Sequence, residues 1–254
     1  MSESAAAPAV RFLCAVEDAC AEHRIPCRGG HAIIDSHRRR LWNANQIRIE
    51  NPEPLDPAEV TCAADQHLAA ERFRLITLLA GELVADLAGP LADCGYRSAD
   101  RSLMVLGTLP PPRSDIGVVA VPAVELLLDR LTTLGEDPDH DPAVGRELIE
   151  RDAIAATFAT QRCYAAIDRS GIVARCQVFS LSGVAQIENV YTHVAHRGRG
   201  YAQAVVAAAA RSARDAGAGY VFVNANAEGR HRDFYEKLGF VEVARLHRFV
   251  RSLD

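Results

Sequence analysis

The sequence lacks any apolar run of the roughly 18 residues that a membrane-spanning helix needs. Its first residues, MSESAAAPAVRFLCAV, also lack the basic stretch followed by an apolar stretch that marks a secretion signal. Together these absences predict a cytoplasmic protein that makes no membrane contact. Hydrophobic residues make up 49% of the chain, which is enough to fill a packed core.

Cysteine pairs with metal-ligand spacing are also missing. The seven cysteines are dispersed, odd in number and never form a Cys-x-x-Cys pair, so neither a zinc site nor a disulfide framework is expected. His231 and His247 show no metal-ligand spacing with acidic partners, and we predict no metal. The net charge of -5 offers nucleic acid no general attraction. We interpret the three arginines in SHRRRLWNANQIR as the solvated start of a strand rather than as a nucleic-acid site.

Three consecutive prolines, residues 110–112, predict a linker because proline blocks both helices and strand ladders. We therefore expect an N-terminal domain of residues 1–109 and a C-terminal domain of residues 110–254. In the second domain, VPAVELLLDRLTTL and AVGRELIERDAIAATFAT predict two helices. Three antiparallel strands (QRCYAAID, IVARCQVFSL and GVAQIENVYTHV) follow, and then a helix, a strand, a helix and a terminal strand pair. This order predicts a mixed α/β fold.

The first half contains a fainter copy of the end of that pattern. FRLITLLAGELVADLAGPLADCGYRSADRSLMVLG runs strand, helix, glycine with an aromatic residue, and strand, as does YVFVNANAEGRHRDFYEKLGFVEVARLHRFVR. Either the two segments arose by duplication or two generic strand-helix-strand units resemble each other by chance. In the first copy, Leu91 stands where Tyr235 stands in the second.

The segment HVAHRGRGYAQAVVAAAA joins a predicted strand to an alanine-rich predicted helix through two glycines and two arginines. The first N–H groups of a helix have no intrahelical partners and attract anions. Gly198 and Gly200 let a phosphate approach the backbone, while Arg197 and Arg199 add positive charge. The segment lacks the lysine and hydroxyl of a nucleotide-triphosphate loop and the third glycine of a dinucleotide fingerprint. It therefore predicts a site for another phosphate-bearing cofactor.

THVAHRGRGYA resembles the acetyl-CoA signature of GNAT-type N-acetyltransferases, Arg/Gln-x-x-Gly-x-Gly/Ala, at Arg197, Gly200 and Ala202. FYEKLGF resembles the C-terminal signature of that family, with Tyr235 four residues before Gly239. The resemblance covers roughly residues 115–254 and departs where Val194 replaces a frequent proline. It implies a GNAT-like mixed central sheet flanked by helices, α/β (α+β) in class. If the faint copy is real, residues 1–109 form a degenerate GNAT-like half, as in tandem members of the family.

The resemblance also implies where acetyl-CoA, the expected co-substrate, binds. The backbones of Thr192 and Val194 would hold the pantetheine arm and the acetyl carbonyl, and Asn226 matches a position that often contacts the cofactor. The diphosphate would lie on the segment from Gly198 to Ala202, beside Arg197; this cofactor set comprises Thr192, Val194, Arg197, Gly198, Arg199, Gly200, Tyr201, Ala202 and Asn226.

Direct acetyl transfer to a primary amine needs a base for the amine and a proton for the leaving thiolate. Tyr235 is the candidate proton donor, and a core aromatic is the alternative reading. Glu188 is the candidate base, since uninterrupted alternation would place it on the same face of its strand as Val190 and Thr192. A solvated carboxylate, or a water chain acting as the base, is the alternative.

The acceptor is open: a small-molecule amine or a peptide fits, and a homodimer is compatible with the sequence. The acidic loop GEDPDHDPA could attract a cationic amine through Glu136, Asp137, Asp139 or Asp141, or it could be a solvated loop. His193 and His196 flank the anion site, and we interpret them as solvated. A non-catalytic CoA-binding or sensing module is the alternative to an enzyme, because it needs the glycine-rich segment but neither Tyr235 nor Glu188.

Overall fold

The computed structural model describes residues 5–79, 81–109, 115–136, 141–169 and 171–253. Its helices are α1 (Ala7–Cys20), α2 (Pro57–His67), α3 (Val84–Asp93), α4 (Ala123–Thr132), α5 (Pro142–Phe158), α6 (Tyr201–Asp215) and α7 (Arg230–Glu236). Its strands are β1 (His23–Cys27), β2 (Gly30–Ile34), β3 (Gln46–Ile49), β4 (Phe73–Leu78), β5 (Arg97–Ser98), β6 (Arg101–Leu106), β7 (Val118–Val121), β8 (Thr160–Asp168), β9 (Gly171–Leu181), β10 (Val184–Thr192), β11 (Tyr220–Asn226) and β12 (Phe240–Ser252). Short 3-10 helices lie at Trp42–Ala44, Gly81–Leu83 and Val194–His196. The predicted mixed α/β class and the predicted helices around residues 123–158 are confirmed.

One sheet runs through both halves of the chain in the order β1-β2-β3-β4-β12-β6-β11-β10-β9-β8-β7, with β5 paired to β12. Strand β6, from the first half, lies between β11 and β12 and is antiparallel to both. The proposed boundary at residue 109 is followed by residues 110–114, so the predicted proline linker lies outside the described residues. The two-domain division stays a prediction, and the sheet is continuous across it.

The predicted terminal strand pair is wrong, because β12 is one strand of 13 residues. It pairs with β6 as far as Leu246 and with β4 from His247 onward. A register shift between Glu242 and Ala244 interrupts its ladder with β6. The sequence FVEVARLHRFVR alternates along its length because β12 passes from one partner strand, β6, to another, β4, without a turn.

The predicted antiparallel meander is confirmed: β8 pairs with β9, and β9 pairs with β10. The turn from β9 to β10 places Ser182 and Gly183 at φ values of 50° and 77°. Two consecutive positive φ values are typical of the tight hairpin turn that matches the twist of the flanking strands. β10 then pairs with β11 in parallel, but only from Val184 to Gln186. Beyond Gln186 the two strands diverge and leave a gap in the sheet.

Helices cover both faces of the sheet around this gap. α6 packs one face with short side chains, including the fully buried Ala209 and Ala210. α1 and α5 cover the opposite face, where Phe12 meets Phe222 with ring centroids 5.5 Å apart. In the first half, α2 and α3 pack against β3 and β4 in a separate core. The gap between β10 and β11 therefore has α6 on one face of the sheet and α1 and α5 on the other.

Candidate functional site

The glycine-rich segment forms the predicted N-terminus of a helix. A 3-10 turn, Val194–His196, separates β10 from the glycines, so the strand does not run straight into α6. Gly198 and Gly200 adopt φ values of 78° and 85°, and Gly200 is the N-cap of α6. No side chain caps this helix. The first N–H groups of α6, beginning at Tyr201, therefore have no partner within the helix and can receive an anion.

Among the predicted cofactor contacts next to this helix, Arg197 and the backbone carbonyl of Thr192 are bound to each other. Arg197 donates its Nε hydrogen to the carbonyl oxygen of Thr192 over 3.2 Å, and its guanidinium lies 5.7 Å from the ring centroid of Tyr191. Arg199 is exposed. The hydroxyl oxygen of Thr192 is buried and has no hydrogen-bond partner among the described residues. The backbone groups of β10 at this point are thus available only in part.

Glu136, in the loop after α4, binds the backbone N–H of Val194, which is one of the predicted cofactor contacts. Its carboxylate accepts hydrogen bonds from the backbone N–H of Val194, at 3.2 Å, and from the hydroxyl of Tyr191, at 2.9 Å. His193 lies between this carboxylate, at 3.5 Å, and Asp129, at 3.1 Å. His193 therefore has charged partners, as does His196, whose Nε2 lies 3.3 Å from Asp168. Our interpretation of both histidines as merely solvated is wrong.

The predicted acidic loop is used mainly for structure where it is described. Asp141 is the N-cap of α5 and accepts a hydrogen bond from the Ala143 N–H at 2.8 Å. Glu136 binds Val194 and Tyr191 as above. Asp137 and Asp139 lie outside the described residues.

A cavity of about 300 Å³ opens where β10 and β11 diverge. Both predicted catalytic residues, Glu188 and Tyr235, line it, as does Asn226 from the predicted cofactor set. The full lining comprises Asn43, Arg101, Leu148, Arg151, Asp152, Ile187, Glu188, Asn189, Val190, Asn224, Ala225, Asn226, His231 and Tyr235. The structure therefore brings the predicted acid and base to one cavity, whereas the predicted diphosphate segment lies outside its lining.

Glu188 is the last residue of β10 in regular register with β9, and a bulge directly after it breaks the predicted uninterrupted alternation. Glu188 pairs with Gln177 and Tyr191 with Arg175, so β10 contains one residue more than β9 over this stretch. Thr192 consequently faces the side of the sheet opposite to Glu188, and our prediction of a shared face is wrong. Asn189, inside the bulge, has a φ of 52° and donates to Asp152 over 2.8 Å.

Burial raises the pKa of Glu188 to about 6, with Arg151 opposing the shift and Asp152 adding to it. Gln186 donates a hydrogen bond of 2.6 Å to the carboxylate. A carboxyl group that titrates near neutral pH can accept a proton from an ammonium group more effectively than an ordinary glutamate. The environment of Glu188 therefore suits a general base.

Tyr235 lies at the end of α7, in edge contact with Phe234 and Phe240, with ring centroids 5.0 and 5.6 Å away. Burial raises the pKa of Tyr235 above its usual value, so its hydroxyl keeps its proton at neutral pH. Asn226, on the neighbouring β11, accepts a hydrogen bond from Arg101. Tyr235 can therefore act as a proton donor towards the cavity.

Sequence reasoning missed the polar network behind Glu188. Asp152 on α5 is buried and accepts from Arg130 at 2.7 Å and from Gln177 and Asn189 at 2.8 Å each. Arg101, from the first half, enters the same cavity by way of β6. The buried charges of α5, Arg151 and Asp152, were visible in the sequence as an interruption of its apolar face; the position of Arg101 had no local signal.

The cysteines do not resemble activated nucleophiles. All seven are free thiols. Burial raises the pKa of Cys163 to about 11 and also raises that of Cys176, which lowers the fraction of reactive thiolate. Among the described residues, no group of three or more His, Cys, Asp or Glu side chains could hold a metal ion. None of the described helices has the length and apolar character to cross a bilayer.

Comparison with known proteins places this geometry in context. Residues 159–242 match the model of an acetyltransferase (GNAT) domain. A GCN5-related N-acetyltransferase from Kribbella flavida superposes with a TM-score of 0.65 at 17% identity, covering 96% of this chain and 95% of that one. A conserved protein of unknown function from Staphylococcus epidermidis gives 0.70 at 12% identity, covering 91% and 94%. A tandem GNAT protein of the clavulanic acid biosynthesis pathway gives 0.51 at 14% identity, covering 78% and 69%. No curated protein matches the chain by sequence.

Proposed function

Because residues 159–242 carry a GNAT acetyltransferase domain within a chain that has the GNAT fold, we propose that the protein transfers an acetyl group from acetyl-CoA to a primary amine. The observation that carries the proposal is the meeting of Glu188 and Tyr235 in one cavity where β10 and β11 diverge. The uncapped N-terminus of α6 supports it, since Gly198, Gly200 and the following N–H groups form a cradle suited to a diphosphate.

The reaction needs only proton transfers from the protein. Acetyl-CoA supplies the thioester, a C–N bond forms to the amine and the C–S bond breaks. Glu188 accepts the proton that the amine releases, and Tyr235 donates a proton to the departing thiolate sulfur. The buried thiols of Cys163 and Cys176 favour direct attack by the amine over an acyl-enzyme.

The test is release of free thiol from acetyl-CoA with a panel of amines. Tyr235→Phe should lower kcat about 100-fold, because general acid catalysis typically contributes that much or more. The CoA dissociation constant, from calorimetry, should stay within about twofold. Tyr220→Phe is the matched control, since the hydroxyl of Tyr220 binds the Ala5 carbonyl and not the cavity.

Equal turnover by the wild type and Tyr235→Phe would contradict the role of Tyr235. Tight CoA binding without thiol release for any amine would favour the non-catalytic CoA-binding module instead. If the chain does not bind CoA at all, the proposal fails.

A further inference from the structure

Two arginines and two carboxylates line the cavity between β10 and β11, and a third arginine, Arg130, binds one of these carboxylates from outside the lining. Arg101 and Arg151 line it together with Glu188 and Asp152. Asp152 is already neutralised by Arg130 at 2.7 Å, and Arg151 lies farther from it, at 3.7 Å. After that pairing, two arginines face a single carboxylate, that of Glu188. A buried excess of positive charge is costly unless an anion compensates it.

Arg101 is held in place without being neutralised. Its Nε donates to the side-chain oxygen of Asn224 over 3.2 Å, its Nη1 to the side-chain oxygen of Asn226, and its Nη2 to the backbone oxygen of Asn224. All three acceptors are uncharged amide oxygens. Within the described parts of the chain, no carboxylate lies at ion-pair distance from Arg101. Burial accordingly lowers the pKa of Arg101, although Glu188 and Tyr235 oppose the shift.

The hydrogen bonds of Arg101 leave two donors for a ligand. A guanidinium has five N–H hydrogens, and the three bonds above use one on each nitrogen. One hydrogen therefore remains on Nη1 and one on Nη2. Two hydrogens on neighbouring nitrogens suit the two oxygens of a carboxylate, which arginine commonly binds in bidentate fashion.

A second arginine extends the positive charge along the same face of the sheet. Arg101 pairs with Leu246 across β6 and β12, and Arg248 lies two residues further along β12, so its side chain has the same orientation. Arg248 is 8% exposed, and its Nε and Nη2 are buried without a partner. Burial lowers the pKa of Arg248 to about 10, and the charge of Arg101 adds to the effect. Among the described residues, no carboxylate therefore forms a hydrogen bond with the Nε or Nη2 of Arg248, and Glu17 and Glu188 act on these two arginines only over a longer range.

We infer that the acceptor is a small primary amine that also carries a carboxylate, such as an amino acid, and that Arg101 binds the carboxylate. The inference rests on the proposed function and specifies its substrate class. A cavity of about 300 Å³ is at the small end of ligand pockets and suits a molecule of this size. With the carboxylate on Arg101, the amine of the same molecule can reach Glu188, which lines the same cavity.

This arrangement disfavours the cationic acceptor that the acidic loop suggested. Glu136 and Asp141 are engaged in hydrogen bonds with the backbone. The cavity that contains the base is lined by arginines. An amine without a carboxylate would leave the charge of Arg101 uncompensated.

The kinetic test compares matched acceptors. The twenty standard amino acids are screened by thiol release, and the best one is compared with its amide and with the amine that lacks its carboxylate. The wild type should prefer the amino acid in kcat/KM by about 10- to 100-fold, the range expected for a hydrogen bond to a charged group. Arg101→Gln should abolish that preference while retaining activity on the decarboxylated amine.

Arg245→Gln is the matched control, because Arg245 lies on the neighbouring β12 and contacts Glu242 outside the cavity. Its preference should equal that of the wild type. Equal rates for amino acid and decarboxylated amine in the wild type would overturn the inference, as would a preference that survives in Arg101→Gln. A stronger reaction with O-phosphoethanolamine than with any amino acid would overturn it in favour of a phosphate-bearing acceptor.

A binding test separates this inference from the proposed function. Calorimetry with the same amino acid, in the absence of acetyl-CoA, should show binding to the wild type that weakens about tenfold or more in Arg101→Gln. If binding depends on Arg101 but no acetyl transfer occurs, the carboxylate site stands and the proposed reaction fails. If acetyl transfer occurs but only to amines without a carboxylate, the reaction stands and this inference fails.

Discussion

Arg48, buried in the first half, and Arg101, half-buried beside the cavity, differ in the groups that surround their charge. Arg48 is 1% exposed and contacts Glu17 at 3.0 Å, Asp18 at 2.7 Å and Glu50 at 2.9 Å. Within the described parts of the chain, the hydrogen bonds of the Arg101 side chain all go to amide oxygens of Asn224 and Asn226. The first arginine is compensated within the chain, whereas the second is held in place with its charge uncompensated.

The pKa shifts follow the same division. Although burial opposes it, the charge of Glu17 raises the pKa of Arg48, whereas burial lowers that of Arg101. Burial would also raise the pKa of Glu50, but hydrogen bonds from His31 and Arg48 hold it below its usual value. Burial raises the pKa of Glu188 to about 6. Ionisable side chains that lack a charged partner at contact distance, and whose pKa is shifted by burial, mark a candidate functional site; among the residues that the structure describes, Arg101 and Glu188 meet this description.

The largest effect on stability should come from the balanced cluster, which is Arg48 with the carboxylates of Glu17, Asp18 and Glu50. Arg48→Gln removes the buried cation that three carboxylates share and leaves Asp18 and Glu50 only their more exposed pair with Arg24, so the free energy of unfolding should fall by about 3–5 kcal/mol. Urea denaturation followed by circular dichroism measures the change. Arg28→Gln, which breaks an exposed pair with Glu59, is the control and should cost about 0–1 kcal/mol. Similar losses in the two variants would contradict the structural role of Arg48.

Glu188 should control the pH dependence of catalysis. The base must be deprotonated, so kcat/KM should rise with pH through about 6, where Glu188 titrates. Glu188→Gln should lose this inflection and, at pH 8, about 100-fold in rate. Glu50→Gln, in the balanced cluster, should keep the inflection. An unchanged profile in Glu188→Gln would assign the proton to a water chain instead.

A smaller effect is expected at Glu136, which occupies the backbone N–H of Val194. Glu136→Ala removes both this competing acceptor and a negative charge, so acetyl-CoA should bind about 3- to 10-fold more tightly, as for one net hydrogen bond. Calorimetric titration gives the dissociation constant. Glu125→Ala, an exposed position in the first turn of α4, serves as the control. Weaker binding in Glu136→Ala would mean that the carboxylate supports the cofactor site.

The smallest expected effect completes the comparison. Arg101→Gln removes a charge that no carboxylate compensates, so the free energy of unfolding should change by less than about 1 kcal/mol. The same urea experiment as for Arg48→Gln measures it. A loss comparable to that of Arg48→Gln would show that Arg101 is mainly structural.

Much of the fold could be predicted because its signals are local. The antiparallel strands β8 to β10, the turn at Ser182 and Gly183, and the alanine-rich α6 each depend on neighbouring residues, and all are confirmed. The resemblance to GNAT enzymes rests on two short signatures and agrees with the family match over residues 159–242. The roles assigned to individual residues remain predictions.

The errors arose where distant segments decide a local outcome. Asn189 adopts a positive φ in the bulge of β10, and its side chain donates a hydrogen bond to Asp152, 37 residues earlier. The bulge places Thr192 on the side of the sheet opposite to Glu188. The long β12 is one strand because it pairs first with β6 and then with β4, both of which come from the first half of the chain. Neither feature has a signature within its own segment.

The amino-acid sequence alone determined the mixed α/β class and the glycine-rich start of the helix after β10, since periodicity and glycine act locally. It also singled out Glu188 and Tyr235 by side-chain type, and their roles as base and acid stay a proposal. Tertiary structure decided which residues meet. It placed β6 between β11 and β12, and so brought Arg101 of the first half into the cavity of the second. The physical reason is that burial and charge balance depend on every segment that surrounds a side chain, and these are settled only when the whole sheet has formed.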